Sequence, residues 1–388
     1  MNITIINGGS GASNIINALI KEKKYKIISI INTFDDGKST GRIRKFLDIP
    51  GPSDMRKVHS LFLNKSNLNY KIYKKFYNFR LNNLSRKNIL LQIKNFFEGK
   101  DSKLFSFKFS DKLLNNFLKV SLSVFYENLT KSEKLKNIKF DFTDCSLINC
   151  CYAGSYFYNK RNISKTALDF EKFFKLNGKI LCVTNRNLYL SALLENQKIL
   201  HDEESIIKNK YKKKIIKLFL TKNPYEKKIL NYKIHEAKFN NNEHIKYKIT
   251  NEVKNCILNT NILIFAPGTQ FSSLYPTYMA KGLKSAINKN KKIKKVFFSN
   301  IINENDTYNF KISDYINNAL DYLDIKTKKN RELFFDYILV NKFKYKKNYN
   351  LIKIDLNNIL QRNLIIDDFA DNQMLHHKRK INNFIKNL

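Results

Sequence analysis

Two adjacent aspartates near the start of the chain are the residues best suited to chemistry. Asp35 and Asp36 stand in the segment NTFDDGKSTGRIR (32–44), directly after an apolar run that is typical of a strand. Consecutive side chains of an extended backbone point to opposite sides. We therefore expect one carboxylate to hold a metal ion or a ligand hydroxyl, and the other to brace the turn. Both are candidate catalytic residues and candidate metal ligands.

The residues that follow the aspartates supply hydrogen-bond donors and positive charges. Glycines at 37 and 41 enclose a segment with hydroxyl and backbone donors, and arginines follow whose planar fork matches phosphate oxygens. A further acid and arginine come in PGPSDMRKV (50–58). An acidic turn before a basic helix is the plain alternative, but it does not explain why these residue types gather after one strand. The candidate binding residues here are Ser39, Thr40, Arg42, Arg44, Asp54 and Arg56.

The chain begins with a pattern of strand, glycine-rich turn and helix. The β-branched residues of 3–6 indicate a buried strand, and apolar residues at helical spacing follow from Ala12. Glycines let a ligand approach the backbone, and the first N–H groups of a helix favour an anion such as phosphate. The segment is neither G-x-G-x-x-G nor a P-loop, so a plain turn is the alternative. Its candidate phosphate-binding residues are Gly8, Gly9, Ser10 and Gly11.

A second loop, FAPGTQFSSLYP (265–276), has the same order of strand, glycine turn and helix. Pro267 and Gly268 predict a tight turn, and hydroxyl side chains follow. Two such loops suit the two ends of a diphosphate-linked ligand, although this loop alone is equally compatible with a plain turn. Its candidate binding residues are Gly268, Thr269, Ser272 and Ser273.

Alternating strand and helix patterns predict the fold class. Near-continuous apolar strands separated by helical segments indicate an α/β protein with a doubly wound, mostly parallel, Rossmann-like sheet. Ligands of such sheets bind beyond the carboxyl ends of the strands, where the strand order reverses. The predicted strands are 3–6, 27–33, 180–184, 188–194, 262–266, 295–300 and 336–340, and the predicted helices are 164–176, 278–288 and 313–323.

We interpret residues 1–388 as a single domain that carries a helical insertion. The insertion, 63–140, is rich in Lys and Asn, with aromatic and aliphatic residues at helical spacing. We expect it either to close over the site as a lid or to form a homodimer contact. The stretch 201–250 is a shorter basic excursion, and the tail after Asp355 is predicted to be a helical closing segment.

The charge balance is strongly positive, with 71 Lys and Arg against 33 Asp and Glu. A formal charge of +38 would suit a nucleic acid or an anionic membrane surface. The lysines are spread over the whole chain, however, and the abundance of Lys, Asn, Ile, Tyr and Phe is what AT-rich codons favour. No recognisable nucleic-acid-binding motif accompanies them. A nucleic-acid binder is therefore an alternative and not the expectation.

Composition also bounds the setting in which the chain works. Apolar and aromatic contents of 43% and 13% support a large core. No run approaches the ~18 apolar residues of a membrane span, and the start lacks the layout of a signal peptide. The five cysteines are odd in number and form no C-x-x-C pair. We expect free thiols in a reducing cytoplasm.

The motifs taken together resemble the CofD/YvcK superfamily, whose segments look like GGTG, a DDGGSSGRLR type, PPGDIRN and GPGSLYTS. The corresponding segments here, in the same order, are GGSG (8–11), FDDGKSTGRIR (34–44), GPSDMR (51–56) and APGTQFSS (266–273). CSLIN (145–149) resembles the superfamily's HSxGN stretch, which adds Asn149 as a ligand contact. The resemblance covers most of the chain except 63–140 and about 201–250.

The resemblance implies one of two activities. The CofD branch transfers a phospholactyl-type group from a guanosine diphosphate conjugate to a deazaflavin alcohol, with Mg²⁺. The YvcK branch binds UDP-sugars and regulates carbon metabolism and cell-envelope construction, without an established reaction. The DDG-x-S-x-GR form of this chain looks more like the YvcK branch.

We therefore expect a YvcK-like protein that binds a nucleotide-diphosphate conjugate, a UDP-sugar first, with Arg42 and Arg44 neutralising the diphosphate. The alternative is a CofD-type transferase in which Asp35 or Asp36 binds Mg²⁺ or acts as general base, and a nucleoside monophosphate leaves. Loss of the family's histidine and of a tyrosine hydroxyl implies a ligand different from that of either branch. The departures from the family pattern are Lys38, Cys145, Ile148 and Phe271.

Overall fold

Strands and helices alternate along most of the chain. The computed structural model describes residues 1–82, 84–100, 102, 107, 109–224, 244–342, 350–359 and 363–388, without the side chains of 38 and 39. Its strands are β1 (Asn2–Ile6), β2 (Lys26–Ile31), β3 (Lys179–Cys182), β4 (Tyr189–Leu194), β5 (Ile199–Leu200), β6 (Ile215–Thr221), β7 (Ile262–Phe265), β8 (Lys294–Phe298), β9 (Tyr337–Asn341) and β10 (Leu364–Asp367).

The described helices divide between the two faces of a central sheet. They are α1 (Ser13–Leu19), α2 (Lys38–Leu47), α3 (Ser53–Phe62), α4 (Tyr70–Asn78), α5 (Arg86–Glu98), α6 (Lys112–Lys136), α7 (Leu147–Tyr158), α8 (Ile163–Phe174), α9 (Glu203–Lys208), α10 (Asn251–Leu258), α11 (Tyr275–Tyr278), α12 (Leu283–Lys289), α13 (Ile312–Tyr322), α14 (Lys328–Leu333) and α15 (Lys378–Lys386). A π-helical turn, Gln270–Leu274, leads into α11, and a 3₁₀ turn, Leu356–Asn358, precedes β10.

Seven parallel strands form the central sheet, in the order β10-β9-β8-β7-β1-β2-β3. β1 pairs with β2 on one side and with β7 on the other, so the chain builds outward from β1 in one direction and then in the opposite one. The reversal of strand order therefore lies between β1 and β7. In open α/β sheets ligands bind beyond the carboxyl ends of the strands at such a point. The predicted doubly wound α/β fold is confirmed.

Successive residues of the central strands point into two different cores. Ile3 and Ile5 of β1 belong to the core beneath α1 and the helices from α3 to α8. Ile6 belongs to the opposite core, together with α10, α12 and α13. Covering both faces explains why these strands read as continuous apolar runs in the sequence.

One predicted strand lies outside the parallel sheet. The run 188–194 forms β4, which pairs antiparallel with β5 and β6 in a separate three-stranded sheet. Only a short connection separates β3 from β4, whereas a parallel neighbour needs a crossover of about a dozen residues or more. This small sheet carries α9 close to the carboxyl ends of the central strands. Residues 225–243 of the basic stretch after it lie outside the described residues.

The segment 63–140 is helical, as expected, and contributes α4, α5 and α6 to one face of the molecule. α6 runs along α7 so closely that a Cβ added at Gly154 would lie 1.7 Å from the Ser121 carbonyl oxygen. The predicted helical tail after Asp355 is wrong for its first part, because β10 pairs with the edge strand β9 before α15 begins. Within the described ranges, no helix is long and apolar enough to cross a membrane.

Candidate functional site

The loops that follow β1 and β7 touch each other where the strand order reverses. A Cβ atom added at Gly11 would lie 2.5 Å from the Pro267 carbonyl oxygen and 2.6 Å from Gly268 Cα. Gly268 has a φ of 138°, a conformation that residues with a side chain rarely adopt. Ser10 and Gly11 are exposed at this junction. The two predicted glycine loops therefore form one continuous backbone surface.

The buried half of the first loop rests on the π-helical turn 270–274 and on α3. A Cβ at Gly8 would lie 2.5 Å from Ser273 Cβ, and a Cβ at Gly9 would lie 2.5 Å from Asp54 Oδ1. The same position at Gly9 is 2.3 Å from Lys57 Cδ, so the lysine stem lies across the loop. The glycines thus bring a carboxylate and an ammonium group against the backbone of the loop.

The second loop is held by polar side chains that follow β8. Asn300 accepts a hydrogen bond from Gly268 N at 3.0 Å and donates one to Gly268 O at 3.0 Å. Asp306 Oδ2 accepts a hydrogen bond from Phe271 N at 3.1 Å. Burial raises the pKa of Asp306 to about 8. Two-point fixation by Asn300 and the bond to Asp306 hold the turn in one conformation.

The hydroxyl groups of the second loop lie partly within it and partly against the first. Thr269 Oγ1 and Ser273 Oγ are 3.0 Å apart, and Asn32 Nδ2 donates to Ser273 O at 2.5 Å. Ser272 is buried, and its hydroxyl has no hydrogen-bond partner among the described residues. These contacts fasten the second loop to the end of β2, where the acidic pair begins.

The two adjacent aspartates point apart, as expected for neighbours in extended backbone. Asp35 Oδ1 accepts a hydrogen bond from Gly37 N at 3.0 Å. Asp36 Oδ1 accepts one from Glu203 N at 2.9 Å, and Asp36 Oδ2 lies 3.8 Å from Lys45 Nζ. The Asp36 carboxylate therefore holds the start of α9, and the Asp35 carboxylate points to the opposite side of the backbone.

A cavity of about 350 Å³ opens beside Asp35. Its walls come from the acidic loop (32–37), the first turn of α2, α3, α9 and the segments around Arg80 and Asp144. The lining residues are Asp35, Gly37, Thr40, Ser53, Arg56, Lys57, Arg80, Asp144, Glu203, Glu204, Ile207 and Lys208. Charged side chains of both signs make up most of this list, which suits a polar, anionic ligand.

Carboxylates crowd the inner end of this cavity. Burial raises the pKa of Asp35, and the nearby carboxylate of Asp54 adds to the effect. Burial likewise raises the pKa of Glu203, with further contributions from Asp35 and Asp54. Lys57 Nζ lies 3.2 Å from Asp54 Oδ1 and 3.8 Å from Asp35 Oδ2, and the Asp54 carboxylate raises the pKa of Lys57. One ammonium group thus faces several acids.

A protein-family model described as 2-phospho-L-lactate transferase CofD matches residues 3–366. The chain belongs to the CofD family. Among proteins with assigned names, the gluconeogenesis factor of Halalkalibacterium halodurans is 25% identical over 84% of this chain and 74% of its own length. The putative gluconeogenesis factor of Thermotoga maritima is 23% identical over 95% of this chain and 90% of its own.

Solved structures place the same fold over the whole chain. Protein BH3568 from Bacillus halodurans superposes with a TM-score of 0.68 and 20% sequence identity, over 99% of each chain. A second crystal structure of that protein is described as a member of the UPF0052 family and also gives a TM-score of 0.68. At this level of identity the likeness concerns the fold.

One of the two arginines predicted to meet phosphate is turned elsewhere in this CofD-family chain. Arg42 lies near Asp141, with Nε 3.5 Å from Oδ2, and its contact with phosphate stays a prediction. Arg44 is fully buried, and its guanidinium donates to the carbonyl oxygens of Phe34, at 2.6 Å, and of Leu188. The prediction that Arg44 faces a diphosphate is therefore wrong for this arrangement. Arg44 instead ties the acidic loop to the small sheet.

Other predicted residues do line the cavity or stand behind its lining. Arg56 lies on the wall and donates from Nη1 to the Tyr77 carbonyl at 3.3 Å, while its Nε is buried without a partner among the described residues. Thr40 also lines the cavity, and Asn149 Nδ2 approaches its hydroxyl at 3.5 Å. The Ser39 side chain lies outside the described residues. The structure thus brings Thr40, Arg56 and Asn149 to one site.

Three of the four departures from the family pattern have buried side chains. Cys145 Sγ is 3.8 Å from Cys150 Sγ, and both thiols are buried and free. Ile148 is a core residue, and the Phe271 ring is buried against other aromatic rings. A tyrosine hydroxyl in the orientation of Phe271 would therefore point into the core. The side chain of Lys38 lies outside the described residues.

Asp35 and Asp36, each a candidate Mg²⁺ ligand, cannot hold one ion together. Their carboxylates diverge onto Gly37 and Glu203, so one ion cannot reach both. Among the described residues, no group of three or more His, Cys, Asp and Glu side chains is placed to hold a metal ion. Between Asp35 and Asp54 the ammonium of Lys57 already lies within ion-pair distance.

Sequence reasoning missed several residues of the site. Glu203, Lys57 and Arg80 all line the cavity, yet none was singled out. The segment HDEES (201–205) is acidic in a basic chain, and Asp202 with Ser205 forms a capping box at α9. That local excess of acid was a usable signal for Glu203, whereas one lysine among many gave no signal for Lys57.

Removing the Glu203 charge should make the protein more stable, and more so at higher pH. Its raised pKa means that the native state binds more protons than the unfolded state, so the free energy of unfolding falls as pH rises above the ordinary value of 4.5. In Glu203→Gln this loss is absent. We expect a melting temperature about 2 °C or more above that of the wild type at pH 8, and a smaller difference at pH 5.

Glu195→Gln is the matched control, because it removes the charge of an exposed glutamate beside the small sheet. Its melting temperature should follow the wild type at both pH values. Equal differences at pH 5 and pH 8 for Glu203→Gln would show that the carboxylate is not held in its protonated form by the fold.

Proposed function

We propose that this chain binds a nucleotide-diphosphate conjugate, a UDP-sugar first, on the backbone surface that its two glycine loops form together. The direct contact between Gly11 and Gly268 at the reversal of strand order is the observation that carries this proposal. Backbone N–H groups at such a point can approach phosphate oxygens without steric hindrance from side chains. A nucleotide's two phosphates span two adjacent loops better than a single phosphate does.

The charge of the neighbouring cavity supports an anionic ligand that also carries hydroxyl groups. Lys57, Arg56 and Arg80 supply positive charge to the lining of this cavity. Asp35 and Glu203, in the same lining, offer acceptors for sugar hydroxyls. Pockets that bind small molecules commonly have volumes of about 300–1,000 Å³, and this cavity lies within that range.

The names of the relatives support a regulatory or metabolic role. Several are named gluconeogenesis factors, which connects this family to carbon metabolism. We infer a cytoplasmic role in carbon metabolism or in cell-envelope and polysaccharide synthesis, in which ligand binding is not followed by turnover. Asp36 and Arg44 bind groups of the protein itself and hold the acidic loop in one conformation. Such a rigid site suits a binding protein.

A second candidate is a transferase of the type that the family model describes. Asp35 favours it, because a carboxyl group with a raised pKa beside a polar cavity suits a general base. Asp35 would take the proton of an acceptor hydroxyl as its oxygen attacks phosphorus, and a nucleoside monophosphate would leave. Lys57 and Arg56, which line the cavity, would neutralise phosphate charge in such a reaction.

Ligand-induced stabilisation tests the binding proposal. We expect UDP-N-acetylglucosamine or another UDP-sugar to raise the melting temperature, whereas GDP and NAD(P) do so less. Ligand at a hundred times its Kd adds about 2.7 kcal/mol to the free energy of unfolding. Gly11→Ala should weaken the affinity about tenfold or more, because its Cβ collides with the second loop.

Gly99→Ala is the control for the stability cost of adding a side chain. Gly99 ends α5 with a φ of 77°, so alanine is strained there although it is far from the loops. This variant should melt lower and still respond fully to the ligand. If no UDP-sugar, GDP or NAD(P) stabilises the wild type, or if Gly11→Ala binds as tightly, the glycine loops are only turns.

Turnover separates the two candidates. A binding protein converts no donor in the presence of an alcohol acceptor and Mg²⁺, and product formation by the purified chain would favour the transferase. In that case Asp35→Asn should lower the rate by about 10²-fold or more while donor binding stays within a few fold. Asp36→Asn is the control, because Asp36 faces α9 and should affect stability more than rate. Equal rate losses in both variants would contradict the role of Asp35.

A further inference from the structure

Lys57 is placed where a bound cation would balance the acids of the cavity. Its ammonium lies 3.2 Å from Asp54 Oδ1 and 3.8 Å from Asp35 Oδ2. Both aspartates are buried, and within the described part of the chain the structure gives them no other ion-pair partner. Two buried carboxylates therefore depend on one lysine for their neutralisation.

The same lysine connects the cavity with the first glycine loop. Its stem crosses the loop at Gly9, where an added Cβ would lie 2.3 Å from Lys57 Cδ and 3.0 Å from its Nζ. The side chain also lines the cavity and keeps 38% of its surface exposed. The ammonium thus has two faces, one on the carboxylates and one open to a ligand on the loop.

A third carboxylate approaches from α9. The Cβ position of Gly37 is 3.0 Å from Glu203 Oε2 and 3.7 Å from Asp35 Oδ1, so these two acids converge on the same glycine. A phosphate group brought into this negative surrounding needs a cation between itself and the acids. Lys57 already stands at that point.

A divalent metal ion would compete with Lys57 for this position. Mg²⁺ in phosphate sites is usually held by one or two carboxylates and by oxygens of the phosphate. Asp35 and Asp54 are such a pair, but the lysine ammonium occupies the space between them at hydrogen-bond distance from one. A second cation there would be repelled by the ammonium and would lose the carboxylate oxygens that Lys57 uses.

We propose that Lys57 takes the place of a divalent cation in this chain. Its ammonium neutralises Asp35 and Asp54, contacts the phosphate groups of the ligand, and makes ligand binding independent of Mg²⁺. The contact to phosphate rests on the proposed function, whereas the exclusion of a metal ion does not. A lysine ammonium is a compact point charge with three donors and suits both tasks.

Manganese binding tests the exclusion of a metal ion without any nucleotide. Mn²⁺ added to the full chain is followed through the electron paramagnetic resonance signal of the free ion. We expect no Mn²⁺ binding to the wild type below about 1 mM, and one bound Mn²⁺ per chain in Lys57→Met. Mn²⁺ should also raise the melting temperature of Lys57→Met above its value without the ion. The variant exposes the paired carboxylates of Asp35 and Asp54 to the ion.

Lys45→Met is the matched control. Lys45 pairs with Asp36 and Asp202 at 3.8 Å each, but it does not line the cavity. It should gain no Mn²⁺ site. If Lys57→Met does not fold, Lys57→Gln keeps a polar side chain without the charge and answers the same question. Mn²⁺ binding by the wild type, or no gain in both Lys57 variants, would overturn the proposal.

Ligand affinity with and without metal tests the phosphate contact. UDP-N-acetylglucosamine and inorganic pyrophosphate are the probes, each titrated by calorimetry in EDTA and in excess Mg²⁺. Wild-type affinity should be the same in both buffers within about twofold. Lys57→Met should lose about tenfold or more in EDTA and regain most of it with Mg²⁺. Binding by the wild type that requires Mg²⁺ would contradict the proposal.

The two experiments fail in distinguishable ways. If no probe binds the wild type in either buffer, the proposed nucleotide site is wrong, and the manganese result still decides whether Lys57 excludes a metal ion. If the probes bind the wild type and Lys57→Met equally well in EDTA, the proposed nucleotide site is supported and the phosphate contact of Lys57 is wrong.

Discussion

The close approach of the loops after β1 and β7 is the constraint on which the site depends. Parallel strands that are neighbours in the sheet end side by side, and here they are neighbours because the chain reverses its direction of winding at β1. Backbone meets backbone at Gly11 and Gly268, with no room for a Cβ. Every other element of the site is placed relative to this junction: α3 lies beneath the first loop, and Asn300 fixes the second.

Charge is distributed around the junction in two groups with different tasks. Arg44, fully buried on carbonyl oxygens, and Asp36, bonded to the start of α9, hold the acidic loop in shape. Asp35 and Lys57 face the cavity and remain available to a ligand. Fixed dipoles and charges that need not reorganise bind a charged ligand more strongly than mobile ones do. Arg44 and Asp36 thus hold the loop in the conformation that places Asp35 and Lys57 at the ligand.

Much of the fold was readable from the sequence, because buried parallel strands are continuous apolar runs and the glycine turns between strand and helix stand out. Both loops and the acidic pair were found, and Asp35 and Asp36 were expected to diverge. The direction of Arg44 was not predictable, since an arginine after an acidic turn has the same pattern whether it faces phosphate or carbonyl groups. Glu203 begins α9, which follows β5 of the small sheet, and its place beside Asp35 depends on tertiary packing.

A crystal structure of the chain with UDP-N-acetylglucosamine tests the central claim most directly. The account predicts that the diphosphate lies within hydrogen-bond distance of the backbone N–H groups of Gly9–Gly11, beside Gly268, with an oxygen against Lys57 Nζ. A ligand bound away from this junction, or a diphosphate held by Arg42 and Arg44 with the glycine loops uninvolved, would contradict it.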